Sequence, residues 1–132
     1  MPKYIVVIGS KDAGKTTSIR ALWKRLGGKK LPNDPPDFHD ILEYKGAKIG
    51  FHSWGDSVHY LDKHDGGIPN LEDERCDIII SAAKSKGMTQ DYFIKRCKIS
   101  DLYWVGKVWQ ADEKKSTEQA AKHIEILIDA LI

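Results

Sequence analysis

The sequence predicts an α/β domain with a mostly parallel sheet. Three observations carry this: apolar, strand-forming runs alternate with helical stripes, one tight hairpin interrupts them, and a glycine-bounded turn joins the first strand to the first helix. The 132 residues fit one domain, 1–132, around a single core, with no internal repeat, low-complexity tract or boundary.

Residues 4–8 are strand-forming and apolar throughout, as a strand buried on both faces requires. From Lys15 a helical pattern takes over, with Ile19, Leu22, Trp23 and Leu26 at three- and four-residue spacing. Gly27 and Gly28 supply its stop. Residues 29–39 are polar, carry Pro32, Pro35 and Pro36, and read as a long loop. Strands at 41–44 and 47–54 flank Lys45 and Gly46, a connection short enough to force an antiparallel hairpin. Residues 56–65 allow a short helix before the breaks at Gly66, Gly67 and Pro69. A second buried strand covers 76–81, and a lysine-rich turn at 84–87 leads to a helix at 89–97 with Thr89 as N-cap. A strand of bulky residues spans 102–109. The last helix starts near Ser116, whose spacing to Gln119 forms a capping box, with Ala120, Ile124, Leu127, Ile128 and Leu131 as its stripe.

Composition narrows the function classes. The 21 Lys and Arg are interleaved with 19 Asp and Glu, so no basic stripe for nucleic acid is expected. The apolar run near the N-terminus is too short for a signal core or a span, which predicts a cytoplasmic protein with no membrane partner. Cys76 and Cys97 show no metal-ligand spacing, so reduced thiols without zinc are expected.

The chemistry lies in Gly9-Ser10-Lys11-Asp12-Ala13-Gly14-Lys15-Thr16, a G-x-x-x-x-G-K-[ST] match placed between a buried strand and a helix. Gly9 and Gly14 permit backbone conformations and close approaches that a side chain would obstruct. Successive N–H groups then form an anion nest, and the helix adds its open amides and positive dipole end. In this pattern Lys15 reaches the β- and γ-phosphates, Thr16 offers its hydroxyl to Mg²⁺, and Thr17 donates near the α-phosphate.

With this motif the sequence resembles the P-loop NTPase superfamily, the motif specifically and the alternating layout more loosely over most of the chain. The resemblance implies a three-layer α/β/α fold with nucleotide at the carboxyl ends of the parallel strands. The motif implies Mg²⁺ with ATP or GTP as ligand, and a nucleotide switch would add a protein partner that senses the nucleotide state. We expect about five strands, one antiparallel at the edge, in the order 2-3-1-4-5.

The hairpin looks like the second and third strands of small GTPases, where the third ends in D-x-x-G. Here that stretch reads His52-Ser53-Trp54-Gly55, with His52 in place of the acid. Imidazole suits hard Mg²⁺ poorly. Either Asp56 takes over, the favoured arrangement, or Mg²⁺ is held by Thr16, phosphate and water. N-K-x-D is also missing, because the strand at 77–81 continues into Ala82, Ala83 and Lys84, which favours ATP over GTP. Asp77 sits at the wrong end of its strand for a Mg²⁺-supporting acid. Ser10 occupies the position of the signature lysine of K-G-G-x-G-K-T ATPases, so Lys11 does not inherit that role.

Lys84 and Lys86 either contact phosphate or are solvated turn residues. His52, Asp56, His59, Asp62 and His64 are dense but lack a recognised metal spacing, which leaves His52 and Asp56 as candidates for orienting water or an acceptor. Trp54 and Trp109 stack on a base or join the core, the core being preferred, and Trp23 and Trp104 are assigned to the core. The expected activity is Mg²⁺-dependent NTP hydrolysis or phosphoryl transfer, and the alternative is a nucleotide switch that turns over slowly or not at all. A small-molecule kinase fits less well, since the chain leaves little room for an acceptor domain.

Overall fold

The computed structural model describes residues 2–10, 14–29, 37–107 and 112–132. Lys11, Asp12, Ala13, Trp109 and most of the proline-bearing loop lie outside the described residues. The elements in order are β1 (Lys3–Gly9), α1 (Lys15–Arg25), β2 (His39–Tyr44), β3 (Ala47–His52), α2 (Val58–Leu61) and α3 (Ile68–Asp73). Then follow β4 (Ile78–Lys84), α4 (Met88–Arg96), a 3-10 turn at Ile99–Asp101, β5 (Leu102–Gly106) and α5 (Glu113–Leu131).

One five-stranded sheet runs β2-β3-β4-β1-β5, with β2–β3 antiparallel and the other pairs parallel. The fold class, strand number and antiparallel edge strand are those the sequence predicts. Within the sheet, β4 separates β3 from β1, whereas the expected order set β1 beside β3. The route through α2 and α3 delivers β4 directly alongside its predecessor, pairing Ile49 with Ile78, as consecutive elements commonly do.

The sheet divides two apolar cores because successive strand side chains point to opposite faces. Ile5, Val7, Ile49, Phe51, Ile78 and Ile80 meet α1 and α5 through Ile19, Leu22, Trp23, Ala121, Ile124 and Ile128. Tyr4, Val6 and Ile79 meet α2, α3 and α4 through Leu61, Ile68, Leu71 and Phe93. Three layers result.

Several local expectations change. Helix α3 begins where Gly67 and Pro69 suggested only a break, because proline is tolerated in the first turn, where no N–H partner is needed. Strand β4 runs on to Lys84 instead of ending at Ser81. Thr89 lies inside α4 and its hydroxyl accepts from the Lys84 N–H at 3.0 Å, while Gly87 holds the N-cap. Helix α5 starts at Glu113, capped by Asp112, whose carboxylate accepts from the Lys115 N–H at 3.1 Å. Trp104 is 38% exposed instead of joining the core, since β5 is one of the two edge strands of the sheet.

Candidate functional site

Strands β1, β4 and β5 end close together along one edge. Gly9 of β1 pairs with Lys84 of β4, the Ser85 N–H donates to the Gly9 carbonyl at 3.1 Å, and the Lys107 N–H donates to the Ile8 carbonyl at 2.7 Å. Gly14 caps α1 at φ +86°, in the left-handed region that favours glycine. Gly14 leads into α1 in this conformation, and Lys15 folds back across the strand ends. Its ammonium donates to the Gly9 carbonyl at 3.0 Å and the Ala83 carbonyl at 3.3 Å, and the residue is only 7% exposed. Burial pushes its pKa down, the Asp56 carboxylate at 3.9 Å pulls it up, and Lys84 adds a repulsion. Two carbonyls and one exposed carboxylate leave a buried ammonium short of negative charge.

Asp56 reaches this position by an unusual path. Strand β3 lies two strands from β1, roughly 10 Å at the ordinary inter-strand spacing. Because β3 stops at His52 while β4 continues to Lys84, the segment after β3 can cross over the top of β4. Gly55 rests directly on Ala82, where a side chain would overlap the Ala82 carbonyl and come within 2.7 Å of its Cβ. Gly55→Ala is therefore expected to lift this segment, destabilise the fold by about 1–3 kcal/mol and break the Lys15–Asp56 approach. Urea unfolding with the Asp56 side-chain NMR shift checks both effects.

Thr16 is held from the same side. Its hydroxyl lies 3.1 Å from the Asp37 carboxylate and 3.5 Å from the Ser53 carbonyl, and the Ser53 hydroxyl lies 3.2 Å from the same Asp37 oxygen. Core packing fixes Asp37. Its neighbour Phe38 is buried against Trp23 at 5.4 Å with the Arg20 guanidinium over its ring; its carbonyl accepts from the Ser53 N–H at 3.0 Å and its N–H donates to the Ser53 hydroxyl at 2.8 Å. Trp23 in turn donates to Asp40 at 2.8 Å. Sequence reading missed Asp37 because a lone acid in a proline-bearing loop carries no motif.

Of the other site residues, Gly9 is buried, while Ser10, Thr17 and Lys84 are exposed at the same edge. Lys11, Asp12 and Ala13 lie outside the described residues. His52 is not brought to Lys15. Since Phe51 faces α1, the next residue faces α2, and His52 is fully buried there with no hydrogen-bond partner for either ring nitrogen among the described residues. Burial, with His39 across the strand, pushes its pKa down to about 4. Trp54 is 38% exposed, not core, and stacks on Tyr60 with ring centroids 5.0 Å apart. Sequence reading also missed Lys107, 4% exposed on the β5 side of Gly14, beside Glu113 and Ser116.

Other features do not compete with this edge. A cleft of about 620 Å³ lies at the opposite ends of the strands, but its Arg96 and Tyr4 are already bonded to Glu72. Both cysteines are free and buried, and burial raises the Cys97 thiol to about 12 and the Cys76 thiol to about 11, so neither is a ready nucleophile. No group of three His, Cys, Asp or Glu among the described residues is placed to hold a metal, and no described helix is long and apolar enough to cross a membrane. No protein-family model, curated protein or solved structure matches the chain.

Proposed function

We propose that the chain binds the phosphates of a Mg²⁺-complexed nucleoside triphosphate, ATP in preference to GTP, and hydrolyses or transfers the terminal phosphoryl group. The buried, under-compensated ammonium of Lys15 at the mouth of α1 carries this reading. An anion arriving there gains a desolvated cation together with the open amides and dipole of α1. The motif it belongs to is the one that marks P-loop NTPases, and the sheet's carboxyl edge is where open α/β sheets bind ligands.

The nearby oxygens suit the metal. Thr16, Asp37 and Asp56 offer a hydroxyl and two carboxylates, hard donors of the kind Mg²⁺ takes, and a partial protein set leaves places for water and phosphate. When bound, Mg²⁺ would neutralise charge on the phosphate oxygens. Lys15 stabilises the negative charge that shifts as the phosphoryl group leaves, and Asp56, on the solvent side of Lys15, orients the attacking water. His52, buried beneath α2, takes no part. ATP is preferred because Ser85, Lys86 and Gly87 after β4 supply no carboxylate for guanine.

One observation favours a switch that turns over slowly. The Thr16 hydroxyl is tied to Asp37, so a cation claiming Thr16 alters the hold on Asp37. Calorimetric titration with ATP, GTP and their diphosphates, alongside phosphate release, separates the readings. Hydrolysis predicts release that falls about hundredfold in Asp56→Ala while triphosphate binding persists. Tight triphosphate binding without release identifies the switch. Absence of triphosphate binding by the wild type overturns both.

A further inference from the structure

On the β5 side of Gly14 lies a second charged group that the motif does not include. The Lys107 ammonium is buried, donates to the Ser116 hydroxyl at 2.8 Å and lies 3.5 Å from the Glu113 carboxylate. That carboxylate packs so tightly on Gly14 that a side chain at position 14 would overlap it, with the Lys107 ammonium 3.3 Å from the same point. Its other oxygen, Oε2, is shut off from water and has no hydrogen-bond partner among the described residues. A carboxylate oxygen in that state is costly. It is compensated by its situation, against the positive end of α1 and a buried lysine.

We propose that the Glu113 carboxylate is an internal stand-in for the anionic ligand. It occupies the β5 flank of the cradle and holds Lys107 until a phosphate group displaces it. Lys107 then passes from carboxylate to phosphate and becomes a second phosphate-binding lysine, opposite Lys15 across Gly14. The exchange is favourable on both sides. Phosphate offers Lys107 more negative charge and more acceptor oxygens, and Glu113, whose side chain is already 39% exposed, swings out to water and regains solvation for Oε2. The inference rests on the triphosphate reading and adds a brake to it: affinity is set by competition with the protein's own carboxylate.

The test is titration of Mg²⁺-ATP and of inorganic triphosphate into the wild type, Glu113→Gln, Lys107→Gln, the double variant and Lys15→Ala. If the stand-in form outweighs the open form about ten to one, Glu113→Gln tightens binding about tenfold. Lys107→Gln weakens binding, and in its background Glu113→Gln no longer tightens it, because the two act through one contact. In the wild type, the side-chain carboxyl carbon resonance of Glu113 moves on ligand addition, a readout independent of any variant's folding. Unchanged or weaker binding by Glu113→Gln, or an unmoved resonance at saturation, overturns the stand-in even if Lys15→Ala has lost binding as the triphosphate reading requires. If instead the wild type binds neither ligand, the triphosphate reading itself has failed and takes this inference with it.

Discussion

Replacing Lys15 by alanine is expected to weaken Mg²⁺-ATP binding at least about hundredfold, the scale on which loss of one member of a buried charge contact acts. The fold is expected to survive. Alanine removes two hydrogen bonds to the Gly9 and Ala83 carbonyls, but it also removes an ammonium whose charged form burial already disfavours. The Gly9 carbonyl keeps the Ser85 N–H. The opposing terms leave stability within about 1 kcal/mol of wild type. Calorimetry and urea unfolding on the same preparation read the two quantities separately. A collapse in stability would make Lys15 a structural group, and intact binding would remove it from the phosphate site.

The second large effect is acid sensitivity from His52. Its folded pKa of about 4 lies below the ordinary 6.5, through burial first and His39 second. Between these values the unfolded chain takes up a proton that the folded chain refuses. Stability is therefore fully present above pH 6.5 and falls as the pH drops towards 4, by up to about 3 kcal/mol. His52→Leu is expected to remove this slope and to be neutral or slightly stabilising at pH 7.5, since both ring nitrogens are buried without a hydrogen-bond partner among the described residues. Urea unfolding at pH 7.5 and 4.5 measures the difference. Equal slopes in wild type and variant would mean that the imidazole is solvated in solution.

The contrast between Lys15 and His52 shows what sequence can and cannot reveal. Lys15 was legible because its position is fixed by local geometry, a strand, a glycine turn and a helix contiguous in the chain. The sheet class was legible for a similar reason, since apolar period and a two-residue hairpin connection are local signals. Strand order was not, because whether β4 settles against β3 or beyond β1 depends on how α2 and α3 pack, and α3 is too short to show a stripe. That order decides the fate of His52 and Asp56. With β4 inserted, β3 is no longer the neighbour of β1, and the segment that follows it, with Ser53 beside Thr16 and Gly55 over Ala82, brings Asp56 to Lys15. Asp37 and Lys107 reach the same edge through tertiary contacts, by way of Phe38 and the end of β5, and neither announces itself in the chain. His52 aligned with an acid by counting from a glycine, but strand alternation turned it to the other face.

Phosphates are expected to bind between the end of β1 and the start of α1. The most direct measurement is a backbone amide NMR titration with Mg²⁺-ATP. The largest shifts are expected at Ser10, Gly14, Lys15 and Thr16, with Asp37 and Asp56 following. Shifts confined to Tyr4, Glu72 and Arg96 at the opposite end of the sheet, with Gly14 to Thr16 unmoved at saturation, would contradict it.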